Sequence, residues 1–285
     1  MTNNKRIALT IDDLPFVSRY ITQKQEGGTE IVDMLLRHLL QNDVRVTGFV
    51  IGKNADEKLL GKWHSGGHLL ANHTYSHLQL SNISSDEFEK DVIKNEKILA
   101  QFLENNTEKY FRFPYLDAGK TAEQRNAALD FLYQRSYTIA PVTLDSKDYI
   151  YNEYFTEAWQ NDDVKTMQYA VNEYWEYTKM VIEFRERQAI HFYGKPVGLI
   201  MLIHANRINS HGLDRMITSI KAMGYEFVSL SGLLNEYDSL KNNAILGQSY
   251  FSFDVQSDDG TYKRVNYPKV APAILEVHNM RRWER

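Results

Sequence analysis

Short apolar runs separated by longer amphipathic segments recur along most of the chain. Ile7, Leu9 and Ile11 alternate with smaller side chains, which predicts a strand over residues 6–12. The continuous apolar run over residues 197–204 is typical of a central parallel strand that is buried on both faces. Similar runs predict further strands over residues 45–51, 67–72, 110–115, 137–144 and 225–230.

The amphipathic segments between these runs predict helices. Ser84 and Glu87 form a capping-box pattern that opens a long helix, and Gly224 is placed where a glycine ends one. The predicted helices cover residues 30–41, 56–65, 84–104, 121–134 and 213–223. Alternating strands and helices predict a parallel sheet, so we expect an α/β fold with a distorted (β/α) barrel over residues 1–240.

Residues 149–195 and 241–285 do not follow this alternation. The first segment is rich in aromatic residues, and Met167, Tyr174 and Val181 recur at helical spacing. This spacing predicts a helical insertion packed on the barrel, although an aromatic wall beside a binding groove is compatible with it. In the second segment, alternating apolar residues precede an Asp-Asp-Gly turn, which predicts a small β-hairpin extension packed on the barrel.

Composition excludes several classes of protein. The net charge of −4 and the pI near 6.2 give no basic footprint for nucleic acid. Disulfides and cysteine-ligated zinc are excluded because the chain has no cysteine. No apolar run is long enough for a membrane span, and no signal peptide is visible at the start of the chain. The sequence as written is therefore expected to be cytoplasmic.

Asp12 and Asp13 stand side by side at the end of the first predicted strand. Two adjacent carboxylates are costly to bury unless a positive group holds them, and a metal ion is one such group. A solvated turn is the alternative, because Asp is common where strands end.

His73 and His77 follow another predicted strand and are four residues apart. If the segment after His73 is helical, both imidazoles lie on one face, within reach of one ion. Two unrelated surface histidines are the alternative. Together with the Asp pair, the spacing favours a site of two His and one carboxylate with open coordination positions, as catalytic metals have.

Other strand ends also carry chemically useful side chains. Arg112 precedes a Pro-Tyr pair, Asp145 is followed by Asp148, and His204 ends the long apolar run. Polar side chains at the C-terminal ends of several parallel strands are the arrangement of a (β/α) barrel active site.

In these motifs the chain resembles the carbohydrate esterase family 4 polysaccharide deacetylases, which carry the NodB-homology domain. Five family motifs match in order over about the first 235 residues. They are Thr10-Ile11-Asp12-Asp13, His73-Thr74-Tyr75-Ser76-His77, Arg112-Phe113-Pro114-Tyr115, the segment from Asp145 to Tyr149, and Leu202-Ile203-His204.

The resemblance implies a role for each matched residue. Asp13, His73 and His77 would bind one divalent metal, and Asp12 would be the general base for a metal-bound water. Zn2+ suits two imidazoles and one carboxylate, and Co2+, Mn2+, Ni2+ and Fe2+ are alternatives.

The remaining roles concern the acyl group and its departure. The backbone N–H of Tyr115 would stabilise the oxyanion, and Leu202 would line the pocket for the acetyl methyl group. His204 would be the general acid that protonates the leaving amine. Arg112 would hold Asp12 ionised, and Asp145 would contact Arg112 or His204.

The chain departs from the family pattern at three places. Ala205 stands where Asp usually follows the motif His, Tyr149 stands where Trp is usual, and Leu116 stands where Gly is usual. No metal ligand or base is lost by these changes, but they affect the acid's surroundings and the groove.

The resemblance implies a metal-dependent hydrolase that removes N-acetyl groups from amino sugars in a chitin-like or peptidoglycan-like glycan. An acetylated glycan is thus the expected partner, and proteins of this family are often exported. Two alternatives are the same machinery acting on an O-acetyl ester or small amide or ureide, and a non-catalytic glycan-binding protein.

Overall fold

A computed structural model describes residues 5–17, 27–103, 108–241 and 267–283 of the chain. Its strands are β1 (Lys5–Leu14), β2 (Thr47–Val50), β3 (Leu69–Asn72), β4 (Tyr110–Phe111), β5 (Thr138–Ile139), β6 (Leu144–Asp145), β7 (Leu199–His204) and β8 (Tyr225–Phe227). Its helices are α1 (Gly28–Gln41), α2 (Glu57–Ser65), α3 (Ser85–Leu103), α4 (Ala122–Gln134), α5 (Asp148–Gln160), α6 (Val164–Tyr193), α7 (Arg207–Ala222), α8 (Leu230–Lys241) and α9 (Pro272–Trp283).

The strands form one parallel sheet in the order β5-β4-β3-β2-β1-β7-β6, and β8 also pairs with β1. In the part of the chain that the structure describes, β5 and β6 are the two ends of this order, so the sheet is an open, curled half-barrel. The expected α/β fold with a distorted (β/α) barrel is confirmed. Helices between successive strands cover the sheet, as parallel strands require.

The central strand β1 is buried on both faces, as its alternating apolar residues predict. Ile7, Leu9 and Ile11 pack into the largest core cluster, whereas Ala8 packs into a second cluster with Phe49. Because β1 pairs with both β2 and β7, its C-terminal end lies at the middle of one rim of the sheet.

The predicted strand over residues 137–144 is wrong. Its two halves are β5 and β6, which lie at opposite ends of the sheet order. Ala140 and Pro141 fall between them, so the apolar run crosses the half-barrel instead of pairing along its length. Ala140 is fully buried, which explains why the crossing has the apolar composition of a strand.

The insertion is a pair of helices, α5 and α6, which pack on each other. Tyr174 and Val181 on α6 are buried in the main core, and Met167 and Val171 pack against that core from partly buried positions. The predicted aromatic stripe is therefore a packing face of a helical pair.

The expected β-hairpin falls within residues 242–266, which lie outside the described residues. The described end of the extension is helix α9, which packs on α5 and buries Ile274 in the main core. No helix in the described parts of the chain has the length and hydropathy to cross a membrane.

Candidate active site

The C-terminal rim of the sheet borders a cleft of about 710 Å³. Every predicted site residue except Arg112 lines this cleft directly, and Arg112 is buried behind Asp12. The lining members of that set are Asp12, Asp13, His73, His77, Tyr115, Asp145, Leu202 and His204. The parallel register brings Asp12 opposite His204 across β1 and β7, which places the two residues on the same rim.

Asp13, His73 and His77 form a cluster in which one ligand atom from each residue lies within 4.8 Å of the others. Asp13 Oδ1 is 3.3 Å from His77 Nε2 and 3.7 Å from His73 Nε2. This carboxylate oxygen is buried and has no hydrogen-bond partner among the described residues, which is costly for a charged group without a cation.

The chemistry of the two imidazoles fits a metal site. Burial lowers the pKa of His73 to about 3 and that of His77 to about 4, so both rings are neutral ligands at neutral pH. His73 Nδ1 donates to the carbonyl of Arg112 at 2.9 Å, which leaves Nε2 to face the cluster. Burial also raises the pKa of Asp13, a cost that a bound cation would remove.

The segment from His73 to His77 is a loop, so the two imidazoles are brought together without the helical turn that the spacing allowed. Thr74 has φ 63° and His77 has φ 57°, both in the left-handed region. Asn72 Oδ1 accepts from the Thr74 N–H at 2.9 Å, and Thr74 Oγ1 accepts from the His77 N–H at 3.1 Å. These side-chain bonds replace helical backbone bonds and still bring the two rings within 4.9 Å.

Arg112 and Asp12 form a buried ion pair, which confirms the predicted pairing of these residues. Arg112 Nη1 donates to Asp12 Oδ1 at 2.7 Å and to Thr10 Oγ1 at 2.8 Å, and its guanidinium lies 4.1 Å from the centre of the Phe49 ring. Burial nevertheless raises the pKa of Asp12 because desolvation outweighs the attraction of Arg112. The pair thus holds the carboxylate in one orientation in a dry environment.

Asp148, not Asp145, is the carboxylate that faces His204. Asp148 is fully buried, and its Oδ1 lies 2.7 Å from His204 Nδ1. Its Oδ2 accepts from the backbone N–H of His204 and from the side chains of Asn206 and Asn209 at 2.7–2.8 Å. Asp145 instead accepts hydrogen bonds from the backbone N–H and the Nζ of Lys147. The expected contact of Asp145 with Arg112 or His204 is therefore wrong.

This arrangement decides the charge of His204. Burial alone would lower its pKa, but the attraction and hydrogen bond of Asp148 outweigh burial and raise the pKa to about 10. Burial would also raise the pKa of Asp148, yet the His204 imidazolium and the surrounding donors lower it. Both groups are therefore charged at neutral pH.

Tyr115 and Leu202 both line the cleft. Tyr115 has φ 56°, is 63 % exposed, and has its ring 4.6 Å from the His77 ring. Leu202 is nearly buried and provides an apolar surface beside the polar groups. Asn206, which stands near the usual motif Asp, caps α7 and donates to Asp148.

Among the cleft residues that the motifs do not predict, Glu153 and His278 come from segments outside the barrel. Glu153 lies on α5 and His278 lies on α9, and both line the same cleft as the metal cluster. Glu153 is four residues after Tyr149, so it shares a helix face with a residue of the fourth motif. That spacing is the one feature of the sequence that could have indicated Glu153 as a cleft residue. No feature of the sequence indicates His278.

Comparison with known proteins places these features in a family. Residues 1–133 match the family model described as polysaccharide deacetylase. A peptidoglycan-N-acetylglucosamine deacetylase from Bacillus cereus is 30% identical over 149 residues, covering 52% of this chain and 47% of that protein. A chitin deacetylase from Colletotrichum lindemuthianum is 31% identical over 156 residues, covering 52% of this chain and 54% of that protein. The chain thus spans about half the length of these relatives.

Solved structures share the fold at lower identity. A polysaccharide deacetylase from Bacillus cereus aligns with a TM-score of 0.56 at 19% identity, covering 79% of this chain and 92% of that one. A family 4 acetyl xylan esterase from Clostridium thermocellum, solved with cobalt, aligns with a TM-score of 0.54 at 20% identity, covering 81% and 91%. A pseudoenzyme of the same family from Bacillus anthracis aligns with a TM-score of 0.51 at 22% identity, covering 82% and 66%.

The family match contains the three clustered ligands, the buried Asp12–Arg112 pair and Tyr115. The half-barrel extends the likeness beyond those residues to most of the chain. The resemblance inferred from the motifs is confirmed: residues 1–133 match the polysaccharide deacetylase model, and the half-barrel has the fold of solved carbohydrate esterase family 4 proteins.

Proposed function

We propose that this protein is a metal-dependent hydrolase that removes N-acetyl groups from N-acetylated amino sugars of a chitin-like or peptidoglycan-like glycan. One observation carries the proposal: a three-ligand cluster, a buried carboxylate–arginine pair and a histidine–carboxylate pair border one cleft. The relatives named as peptidoglycan and chitin deacetylases support the same reaction.

Asp13, His73 and His77 would hold the ion. Asp13 Oδ1 lies beside two neutral imidazoles and has no hydrogen-bond partner in the part of the chain that the structure describes, which supports this assignment. When bound, a divalent metal would activate water and polarise the acyl oxygen. Two nitrogens and one carboxylate oxygen suit zinc, while cobalt, manganese, nickel and iron remain compatible with the same donors.

Asp12 is the proposed general base. Its Oδ1 is held by Arg112, so Oδ2, which faces His73 at 3.7 Å, would take the proton from the attacking water. The ion pair keeps the carboxylate oriented before substrate arrives, which removes a reorganisation cost from the reaction. The backbone N–H of Tyr115 would donate to the developing oxyanion.

His204 is the proposed general acid. Asp148 holds Nδ1, so the proton for the leaving amine would come from Nε2. A pKa of about 10 keeps the ring protonated at neutral pH, where an amine needs a proton to leave. Leu202 would contact the methyl of the acetyl group, because it is the apolar wall next to His204.

The test is acetate release from N-acetylated chitin oligomers and from peptidoglycan fragments by the full chain. We expect release to stop with a chelator and to return with zinc. Asp12→Asn should keep bound zinc and reduce kcat by 10²-fold or more, on the order of the contribution of a general base. Near-normal turnover by Asp12→Asn would refute the base assignment.

An O-acetyl ester is the second candidate substrate. Ala205 replaces the usual Asp after the motif His, and an alcohol needs less help to leave than an amine. A structure with this fold is described as an acetyl xylan esterase, which supports an ester as a possible substrate class for the fold. Comparing kcat/KM on matched N-acetyl and O-acetyl sugars separates the two candidates.

A non-catalytic glycan-binding protein is the remaining alternative, and a pseudoenzyme with this fold exists. The complete set of metal ligands, base and acid argues against it here, because sugar binding alone requires neither a base nor an acid. Metal-independent glycan binding without turnover of any acyl substrate would favour it.

A further inference from the structure

The wall of the cleft next to His204 is built by two segments that lie outside the family match. Helix α5 of the insertion presents Tyr149 and Glu153, and helix α9 near the C-terminus presents His278. The Tyr149 ring lies between two histidines, 6.1 Å from the His204 ring and 5.9 Å from the His278 ring. This wall therefore adjoins the proposed general acid.

Glu153 and His278 are held to each other. Glu153 Oε2 lies 2.6 Å from His278 Nδ1, and the Glu153 side chain is only 3% exposed. A carboxylate at such depth is costly to maintain, so a purely packing role would be served better by an apolar side chain. The described residues give the second ring nitrogen of His278 no hydrogen bond, and the residue faces the cleft.

The charges of the cleft are largely matched in pairs. Asp12 faces Arg112, Asp145 faces Lys147, and Asp148 faces His204. The Glu153–His278 contact also joins a carboxylate to an imidazole at the cleft wall, so it offers both hydrogen-bond acceptors and donors there. Such a pair suits neighbouring hydroxyl groups, where a carboxylate accepts and an imidazole donates or accepts.

We propose that Glu153 and His278 form a subsite that binds hydroxyl groups of a neutral pyranose ring adjacent to the scissile acetamide. The inference rests on the proposed function for the class of ligand. The exposed part of the Tyr149 ring lies beside the pair and offers an apolar face for the ring carbons of the sugar. The C-terminal extension is thereby a source of substrate specificity for the barrel.

The test measures binding of tetra-N-acetylchitotetraose by titration calorimetry, with the full chain treated with a chelator to prevent turnover. His278→Ala and Glu153→Gln should each weaken the Kd by 10-fold or more. Glu276→Ala is the matched control, because Glu276 is exposed on the same helix and does not line the cleft. Its Kd should stay within twofold of that of the unmodified chain.

Zinc affinity and thermal unfolding distinguish a role of the pair in sugar binding from a purely structural role. Neither residue belongs to the ligand cluster, so the zinc Kd should be the same in both variants if the fold is intact. Glu153→Gln is nearly isosteric but replaces one accepting carboxylate oxygen with a donating amide nitrogen, so it reports on the subsite even if His278→Ala lowers the Tm.

The outcomes for the subsite and for the proposed function are distinguishable. Loss of sugar affinity with unchanged zinc affinity supports the subsite. An unmodified chain that does not bind the tetramer, or variants that bind it equally well, would overturn the subsite. Acetate release by the zinc-loaded chain is measured separately. If the chain binds the sugar but releases no acetate, the proposed hydrolysis is refuted and the subsite is not.

Discussion

The oxygen atoms of four buried or nearly buried aspartates have different partners, and those partners explain their different roles. Asp12 is oriented by a guanidinium, whereas Asp13 has an oxygen beside two imidazoles to which no described residue donates a hydrogen bond. Asp148 accepts four hydrogen bonds, all from residues around His204. Asp145 is occupied by Lys147. The proposed base, the proposed metal ligand and the orienting group thus differ in their hydrogen bonds and not in residue type.

Asp148→Asn should change the pH dependence of the reaction. The carboxylate raises the pKa of His204 to about 10, so the acid is protonated below that pH and is lost as pH rises through it. Without the carboxylate, burial lowers the pKa, and the alkaline limb of kcat/KM should move to lower pH by about 2 units or more. The measurement is the pH–rate profile of the zinc-loaded chain.

Asp145→Asn provides the control, because Asp145 contacts Lys147 and not His204. Its alkaline limb should match that of the unmodified chain. An unchanged limb in Asp148→Asn would mean that His204 is not the group whose deprotonation limits the reaction.

Arg112→Met should destabilise the fold. Arg112 is fully buried and Asp12 is nearly so. Removing the guanidinium leaves the buried Asp12 carboxylate without its positive partner. Breaking a buried pair in this way costs about 3–5 kcal/mol. Urea unfolding measures the change, and Lys90→Ala at the exposed Lys90–Asp86 pair should cause no measurable loss. Equal stability of the two variants would contradict the buried-pair account.

At the level of secondary structure, the predictions were most accurate where a local signal and a packing face coincide. The alternation of β1 and the capping box of α3 both appear as predicted, with the Ser84 N–H bonded to Glu87 at 2.8 Å. Residues 137–144 were misassigned because a buried crossing has the same apolar composition as a strand. The pairing partner of a two-residue strand depends on the whole sheet, so the residues of the strand alone do not predict it.

The loop that carries His73 and His77 depends on Asn72, which no periodic pattern indicates. Asn72 is buried, accepts from Thr74 and Asn95, and donates to the Val92 carbonyl. These bonds fix the loop in the conformation that brings the two imidazoles together. Because the positions of the ligands rest on this side chain, it belongs to the support of the metal cluster.

Asn72→Ala should weaken zinc binding by about 10–100-fold, the usual effect of losing a group that orients ligands. A competition titration with a chromogenic chelator gives the zinc Kd. Asn82→Ala is the matched control, because Asn82 is exposed and its side chain bonds only Gln79 among the described residues. A zinc Kd that is the same in both variants would show that the loop is fixed without Asn72.

At the scale of the whole molecule, the cleft joins residues that are far apart in the chain. The family match ends at residue 133 and includes the ligands and base, whereas His204, Glu153 and His278 lie beyond it. The meeting of Asp13, His73 and His77 and the position of His204 in the cleft could be predicted because motif residues follow or end buried strands. The partner of His204 and the second wall could not, since they depend on how α5 and α9 pack.

The central claim is that one divalent ion is held jointly by Asp13, His73 and His77. The most direct test is to measure the metal content of the purified chain by elemental mass spectrometry after zinc loading and dialysis. We expect one equivalent per chain, retained in Asp12→Asn and lost in Asp13→Ala and His73→Ala. An unmodified chain without bound metal, or ligand variants that keep a full equivalent, would contradict the account.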